Sequence, residues 1–567
     1  MALTLRQRCN KTHENLLKRR TTWDDHWKEI DENVRPRRSR FSQTDVNKGT
    51  KRNQSIFHSA PIRALRIAGA GMAAGISSPA RPWFRFSTPD PAMAEVANVR
   101  SWLHMVEERV REVLVRSYYY NRMAELYPDL MEFGTQCLWI DEDLKGDERI
   151  IPYLVPVGEF CLGLDGQMRV STVTRDFTRT TEQMVSAFGL DKVSAKIKNE
   201  YDVGNYDTEH AVIHCLIPNA GRDPSRADVV GKKWLSLWFE KAGVDENKFL
   251  RIKGYDECPA MAPRWSVQDG DAYGWGPGMD ALPDCKELQM LARRKLNLVD
   301  KITNPPMNAP AAARGTKLSL LPGDINYLDS VSAQTQYQPA YTVVPGAIEQ
   351  VRLAESEAVQ RVREAFMADL FLMMAESDRR QITAEEIRAR QEEKMMQLGP
   401  VLEGLHRELH SMAIDRTFSV MWRRGDIPAP PRELQGTSIR VEYVSILAQA
   451  QRLIGISSVE HLASFTINLA QSDPQVLDKL NTDELVDELS ERLGTKPDLV
   501  RSDEAVAEIR ANRAKAQQAQ QQADLMQQAS QAARNLGGAQ IAPDNALGAL
   551  LASGGYGPPS QVAGGGS

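Results

Sequence analysis

No two of the six cysteines, at 9, 137, 161, 215, 258 and 285, stand as a CxxC pair. In a chain of 567 residues, that scatter reads as buried or free thiols made in a reducing compartment. No apolar run approaches a membrane span: the longest stretch without a polar side chain, Ile67 to Ile76, is half the length required. Met1 to Asn10 is polar and lacks the apolar core of a signal peptide, so the expectation is a soluble protein made in the cytoplasm, with no membrane partner. An excess of positive charge is missing too. Lys and Arg total 70 against 75 Asp and Glu, a formal net charge of −5. A protein that grips DNA over its whole surface would be basic, which argues against that mode of binding.

The signatures of catalysis are equally scarce. There is no G-x-x-x-x-G-K-[ST] phosphate loop. Gly69-Ala70-Gly71 with Gly75 has the look of a dinucleotide fingerprint, but no strand precedes it, so the small residues are read as letting a helix pack closely. His210 and His214 have the spacing of metal ligands on a helix, yet their segment reads as a strand, which makes them structural. Asp141-Glu142-Asp143 ends an apolar run and reads as a turn rather than a magnesium site. No Ser/His/Asp grouping stands out. The expectation is a non-enzyme with no catalytic residue, no metal and no cofactor.

What is present is a chain of contrasting segments. Residues 1–60 are polar and helix-prone, with Arg35, Arg37, Arg38 and Arg40 clustered, and read as a solvated face or arm. Residues 61–76 read as a helix. In PARPWFRF at 79–86 the prolines force an extended path that Trp83, Phe84 and Phe86 can anchor. Residues 94–145 read as helical and 151–177 as strands, with Asp165-Gly166 at a hairpin. Thr180 and Gln183 form a capping box for a helix through Phe188. Residues 208–217 alternate as a strand does, and 232–240 and 248–254 add two more. The fold class is therefore α+β, mostly helical.

The middle changes character. Cys285, Leu288, Ala292, Leu296, Val299 and Ile302 recur at three- and four-residue spacing, one face of a helix over 281–303 about 34 Å long. Pro283 is tolerated in its first turn, and Pro305-Pro306 ends it. Residues 304–345 have no helical period. A second stripe then runs through Ile348, Val351, Ala354, Ala358, Val362 and Ala365. After a break at 376–380, a helix from Thr383 to Arg424 is expected, kinked at Gly399-Pro400 and stopped by Gly425. A short strand at 438–444 and helices over 447–510 follow, with a start near Thr482 and a stop near Gly494. Residues 511–535 read as an exposed Ala/Gln helix and 536–567 as a flexible Gly-rich tail.

Several stretches, in order, resemble the head-to-tail connecting portal proteins of short-tailed double-stranded DNA phages. They are SPARPWFRF at 78–86, YPDLMEFGTQCLWIDED at 127–143, IPYLVPVGEF at 151–160 and YGWGPGMDALPDCKELQ at 273–289, then TNPPMNAPA at 303–311, LGPVLEGLHRELHSMAIDRTFSVMWRRG at 398–425 and VEYVSILAQAQR at 441–452. The resemblance implies a portal fold of wing, stem, clip and crown that assembles as a ring, usually of twelve copies, around a DNA channel. It assigns 1–275 to the wing, 276–303 to the first stem helix, 304–345 to the clip and 346–368 to the second stem helix. It assigns 369–382 to the tunnel loop, 383–429 to a long kinked wing helix, 430–510 to the crown and 511–567 to the Ala/Gln helix and tail. Implied partners are the chain itself, double-stranded DNA, the terminase large subunit, a tail adaptor, and the major capsid and scaffolding proteins, in the virion and, during assembly, the host cytoplasm. Arg379, Arg380, Arg293, Arg294, Lys295 and Lys301 are the candidates for facing DNA. Leu288, Leu296, Val351 and Val362 are the candidates for the contact between neighbours, and Val362→Asp is expected to block rings without unfolding the wing. The competing readings are a tail adaptor or internal core protein, which would lack paired long helices around a β insertion, and a packaging-motor enzyme, which would need a phosphate loop.

Overall fold

The computed structural model describes residues 4–36, 53–80, 82–90, 93, 96–144, 146–242, 248–268, 270–308, 338–339, 344, 346–370, 398–436, 439–443, 464–466, 468–469, 481–486 and 503–537. Two compact units divide the chain, Met1–Gly494 and Thr495–Ser567.

The first unit begins with α1 (Leu5–Asn33), whose start is fixed by a capping box between Thr4 and Gln7. It is no solvated arm. Cys9, His13, Leu16, Arg20, Trp27 and Ile30 are buried along one side of it. The sequence reading missed this because the stripe is largely polar: His13 meets Thr174 Oγ1 at 2.8 Å, Arg20 donates to the Phe160 carbonyl at 2.6 Å, and Trp27 Nε1 donates to the Phe133 carbonyl at 3.0 Å. Hydrogen bonds to backbone allow such groups to be buried without an apolar signature. Arg35 is likewise drawn inward; Arg37, Arg38 and Arg40 lie outside the described residues.

Next come α2 (Ala60–Ile76), β1 (Phe84–Ser87), α3 (Ala97–Arg116) and α4 (Tyr119–Phe133). Gly69 does serve close packing, since a Cβ there would overlap the Pro128 ring of α4. The helical expectation for 94–145 holds only to Phe133. Gly134, at φ 70°, ends α4, and β2 (Cys137–Glu142) takes CLWIDE into a sheet. β3 (Ile150–Val155) and β9 (Ala260–Met261) flank β2, in the order β3-β2-β9.

An antiparallel five-stranded sheet follows, formed by β4 (Phe160–Leu164), β5 (Val170–Thr180), β6 (Glu209–Pro218), β7 (Trp234–Glu240) and β8 (Arg251–Tyr255) in that order. The hairpin at Asp165 joins β4 to β5. Between β5 and β6 lie α5 (Thr181–Phe188), with the Thr180/Gln183 capping box as read, and α6 (Ala195–Asp202). One sheet face carries the cross-strand row Arg175–His214–Trp238–Arg251. Phe177, Val212 and Trp238 of that face bury Met184 and Ile197 of α5 and α6. The opposite face carries Cys161–Thr174–Cys215–Leu237. The N-terminal half of α1 lies over it, placing Cys9 against Cys215 and Leu237.

α7 (Pro277–Asp280) leads into α8 (Leu282–Thr303), which carries Pro283 in its first turn and is capped at Asn304, as expected. β10 (Met307–Asn308) pairs with β11 (Gln338–Pro339); the rest of the excursion between them lies outside the described residues. α9 (Ala347–Ala365) runs back against α8. Residues 398–405 are helical, His406–His410 form a π turn, and α10 (Ser411–Arg424) continues to Gly425 at φ 76°. Within the described part of this helix the irregularity is at His406–His410; the turn before Leu398, on which the expected kink at Gly399-Pro400 depends, lies outside the described residues. β12 (Arg440–Tyr443) pairs with β1, Phe84 opposite Tyr443. At 481–486 the helix starts on Asn481, whose side chain accepts from the Glu484 amide at 3.4 Å, one residue before Thr482.

The second unit contains α11 (Asp503–Gly537). Its described side chains are almost all exposed, in keeping with the Ala/Gln composition. Residues 538–567 lie outside the described residues.

Candidate functional site

The candidate site is the α8/α9 pair and its root. The root begins where Tyr273–Asp280 crosses the end of α4. Backbone packs directly on backbone there: a Cβ on Gly134 would overlap the Gly274 carbonyl, and one on Gly278 the Glu132 carbonyl. Tyr273 stands edge-on to Trp27 with centroids 5.2 Å apart. The glycines of YGWGPGMD thus let α7 and α8 seat on the wall formed by α1 and α4.

Beneath the seat is a buried charge cluster. Arg35 bridges Asp129 and Glu132, each at 2.5 Å, and Gln136 donates to Asp129 at 2.7 Å. Burial, reinforced by Asp129 and Asp31 and opposed by Arg35, pushes Glu132 up to about 8. Burial thus favours the protonated form of Glu132. Sequence reasoning missed the cluster because Arg35 stands 94 positions before Asp129 in the chain.

Along the pair, α8 and α9 divide into two zones. In the proximal zone Cys285 and Leu288 of α8, and Ala358 and Val362 of α9, enter the main core of the subunit. Gln289 fixes the preceding loop, accepting from the Phe57 and His58 amides at 2.7 and 2.8 Å. Arg361 reaches across to Asp284 at 2.7 Å and Glu287 at 2.5 Å. Lys295 pairs with Glu355, which His58 approaches at 3.8 Å. In the distal zone the same apolar stripe is uncovered. Leu296 is 57% exposed, Val299 and Ile302 are exposed with it, and Leu353 of α9 is 64% exposed.

The sequence candidates therefore separate. Leu288 and Val362 are fully buried inside one subunit; Leu296 is exposed, and Val351 is intermediate. Lys295 is occupied by Glu355. Arg293 is exposed, 5.8 Å from the Phe57 ring centroid, and Arg294 and Lys301 are exposed. Arg379 and Arg380 lie outside the described residues. Helical periodicity marks a stripe but cannot say which half of it the chain's own second helix covers.

A second cluster surrounds the π turn. The His406 ring stacks on Tyr443 with centroids 3.9 Å apart, and His410 Nε2 lies 3.3 Å from the Tyr127 hydroxyl, which meets Ser77 at 2.8 Å. Burial alone lowers His406 to about 4; burial and then His406 push His410 well below its ordinary value. His210 and His214 are structural: His210 meets Thr181 at 2.9 Å, and His214 meets Ser236 at 2.8 Å while stacking on Trp238. Asp141 accepts from Lys253 at 2.7 Å, and Asp143 closes its turn by accepting from the Gly146 amide. No group of His, Cys, Asp and Glu among the described residues is arranged to hold a metal, and no described helix is long and apolar enough to cross a membrane.

Comparison with known proteins gives a consistent result. The family of bacteriophage head to tail connecting proteins matches residues 6–500. The portal protein of Salmonella phage epsilon15 is 40% identical over 552 residues, 97% of this chain and 98% of that one. A probable portal protein of Bordetella phage BPP-1 is 38% identical over 528 residues, 93% of this chain and 94% of its own. Among solved structures, a chain from the virion of a native gene transfer agent particle is 11% identical, with a TM-score of 0.34 over 77% of this chain and 90% of that one. A chain from the neck of an empty particle of this kind is 10% identical, also at 0.34, covering 81% and 96%. At that score the structural likeness carries no argument.

Proposed function

The chain belongs to the bacteriophage head to tail connecting protein family, and on that premise we propose that it is a capsid portal: a ring, of twelve copies as in the family resemblance, through which the genome is packaged and ejected. One observation carries the reading. Identity of 40% to a portal protein extends over 97% of this chain and 98% of that one. The α8/α9 pair serves as the stem, residues 304–345 as the clip, and the sheets with α1 to α6 as the wing. The chain is structural and has no ATPase activity of its own. The terminase large subunit and then a tail adaptor dock at the clip end, and capsid and scaffolding proteins surround the wing.

The division of the stem refines which residues join neighbours. Leu296, Val299, Ile302 and Leu353 are the apolar groups a second copy can cover, and such exposed stripes drive self-association. Leu288 and Val362 support the subunit from within. Electron microscopy of the negatively stained protein tests the reading: rings with a central hole are expected, and a population that stays monomeric across concentration would refute it.

A further inference from the structure

One pair in the cysteine scatter is brought together by the fold. Cys9, in the second turn of α1, and Cys215, in β6, are 206 positions apart and both buried. Cys215 Sγ lies 4.0 Å from the Cys9 carbonyl oxygen, and both residues belong to one buried apolar cluster. Ile213, Leu237 and Phe239 enclose them. Cys161 shares the sheet row but stands beyond Thr174, on the next strand but one. The end of α1 near this pair is otherwise held by long polar side chains: Arg6 donates to the Glu240 carbonyl at 2.8 Å, and His13 meets Thr174.

We infer that Cys9 and Cys215 are a redox-convertible pair, thiols in the chain as made and a disulfide once the protein meets an oxidising disulfide, so that α1 becomes covalently tied to the five-stranded sheet. The chemistry is a double exchange. The Cys9 thiolate attacks one sulfur of an oxidant disulfide and expels the first thiolate. The Cys215 thiol then gives up its proton and attacks the Cys9 sulfur, expelling the second. Two protein thiols are oxidised, and one external disulfide is reduced to two thiols. Cys9 is the better attacker: the hydrogen bond from Cys215, with help from Arg8 and against burial, lowers its pKa, while the same bond and burial raise that of Cys215. Access comes through fraying of the first turns of α1, the kind of local opening that helix ends undergo most readily.

The inference does not depend on ring assembly, so its test can fail independently. The full chain is held with oxidised glutathione at mildly alkaline pH, then denatured, titrated for thiols and digested without reductant. Two of the six thiols are expected to disappear, a peptide linking Cys9 to Cys215 to appear in the mass spectrum, and the melting temperature to rise by a few degrees, reversed by reductant. Cys9→Ser is expected to abolish both the thiol loss and the rise. Retention of all six thiols would overturn the inference, as would a link from Cys215 to Cys161. Peptide mapping of the unsubstituted chain gives this answer even if Cys9→Ser does not fold.

Discussion

Gly278 has no room for a methyl group, because a Cβ there would run into the Glu132 carbonyl. Backbone cannot yield as a flexible side chain does, so Gly278→Ala must lift α7 off the end of α4. Overpacking of this kind costs about 1–3 kcal/mol, and denaturant titration should show a loss of that size, with Gly166→Ala, open on all sides, as the near-neutral control. The π turn supplies a pH test. His406 has a folded pKa near 4, held down by burial. Between its ordinary value of 6.5 and about 4 the unfolded chain binds the proton and the folded chain does not, so stability is full above that window and is lost as pH falls through it. Each unit of difference is worth about 1.4 kcal/mol, and His410 adds to the loss in the same direction. Measured against His406→Gln, the unsubstituted chain should therefore lose melting temperature between pH 6.5 and 4. Neither residue was a candidate in the sequence. Gly278 was noticed only within a resembling motif, and His406 needs Tyr443 beside it before burial becomes evident.

At the scale of elements, α8 and its proline stop were legible because a three/four spacing over many residues admits one structure. The hairpin at Asp165 and the capping box at Thr180 were legible for the same kind of local reason. α1 was not, because its buried side is built from His13, Arg20 and Trp27, whose polar atoms bond to backbone or to Thr174. The strand at Cys137 was hidden by the helix before it, since only Gly134 marks the change. The apolar stripe of α8 was found, but its meaning was split by α9. Val362→Asp, which from sequence should touch only assembly, instead places a carboxylate in the subunit core. It should destabilise the folded chain by several kcal/mol and be scored by circular dichroism and melting before any ring is sought. Leu296→Asp, on an exposed position, should leave the melt nearly unchanged and shift sedimentation from rings to monomers. Were Leu296→Asp to form rings as readily as the unsubstituted chain, the distal stripe would not be the contact.

For the whole molecule, the governing fact is a net charge of −5 on a protein proposed to surround DNA. Sliding requires that phosphates be centred without being held, and affinity for DNA grows steeply with each added phosphate contact. Several cations of α8 and α9 are already engaged with this chain's own acids: Arg361 with Asp284 and Glu287, Arg363 with Asp369, Lys295 with Glu355. Such pairs stabilise the subunit and present little net charge to a channel. Lys295→Ala should therefore act on folding, costing about 1–2 kcal/mol by leaving the buried Glu355 with only His58, at 3.8 Å, beside it, with genome packaging otherwise normal in particles that do assemble. Arg293 and Arg294 are exposed, and with Arg379 and Arg380, which lie outside the described residues, they are the cations proposed to meet DNA. Replacing these four arginines by alanine should leave the ring and its melting temperature intact while lowering the DNA packaged or retained per particle severalfold, measured by nuclease-protected DNA. Normal DNA content in those particles would mean that the channel centres DNA without these cations.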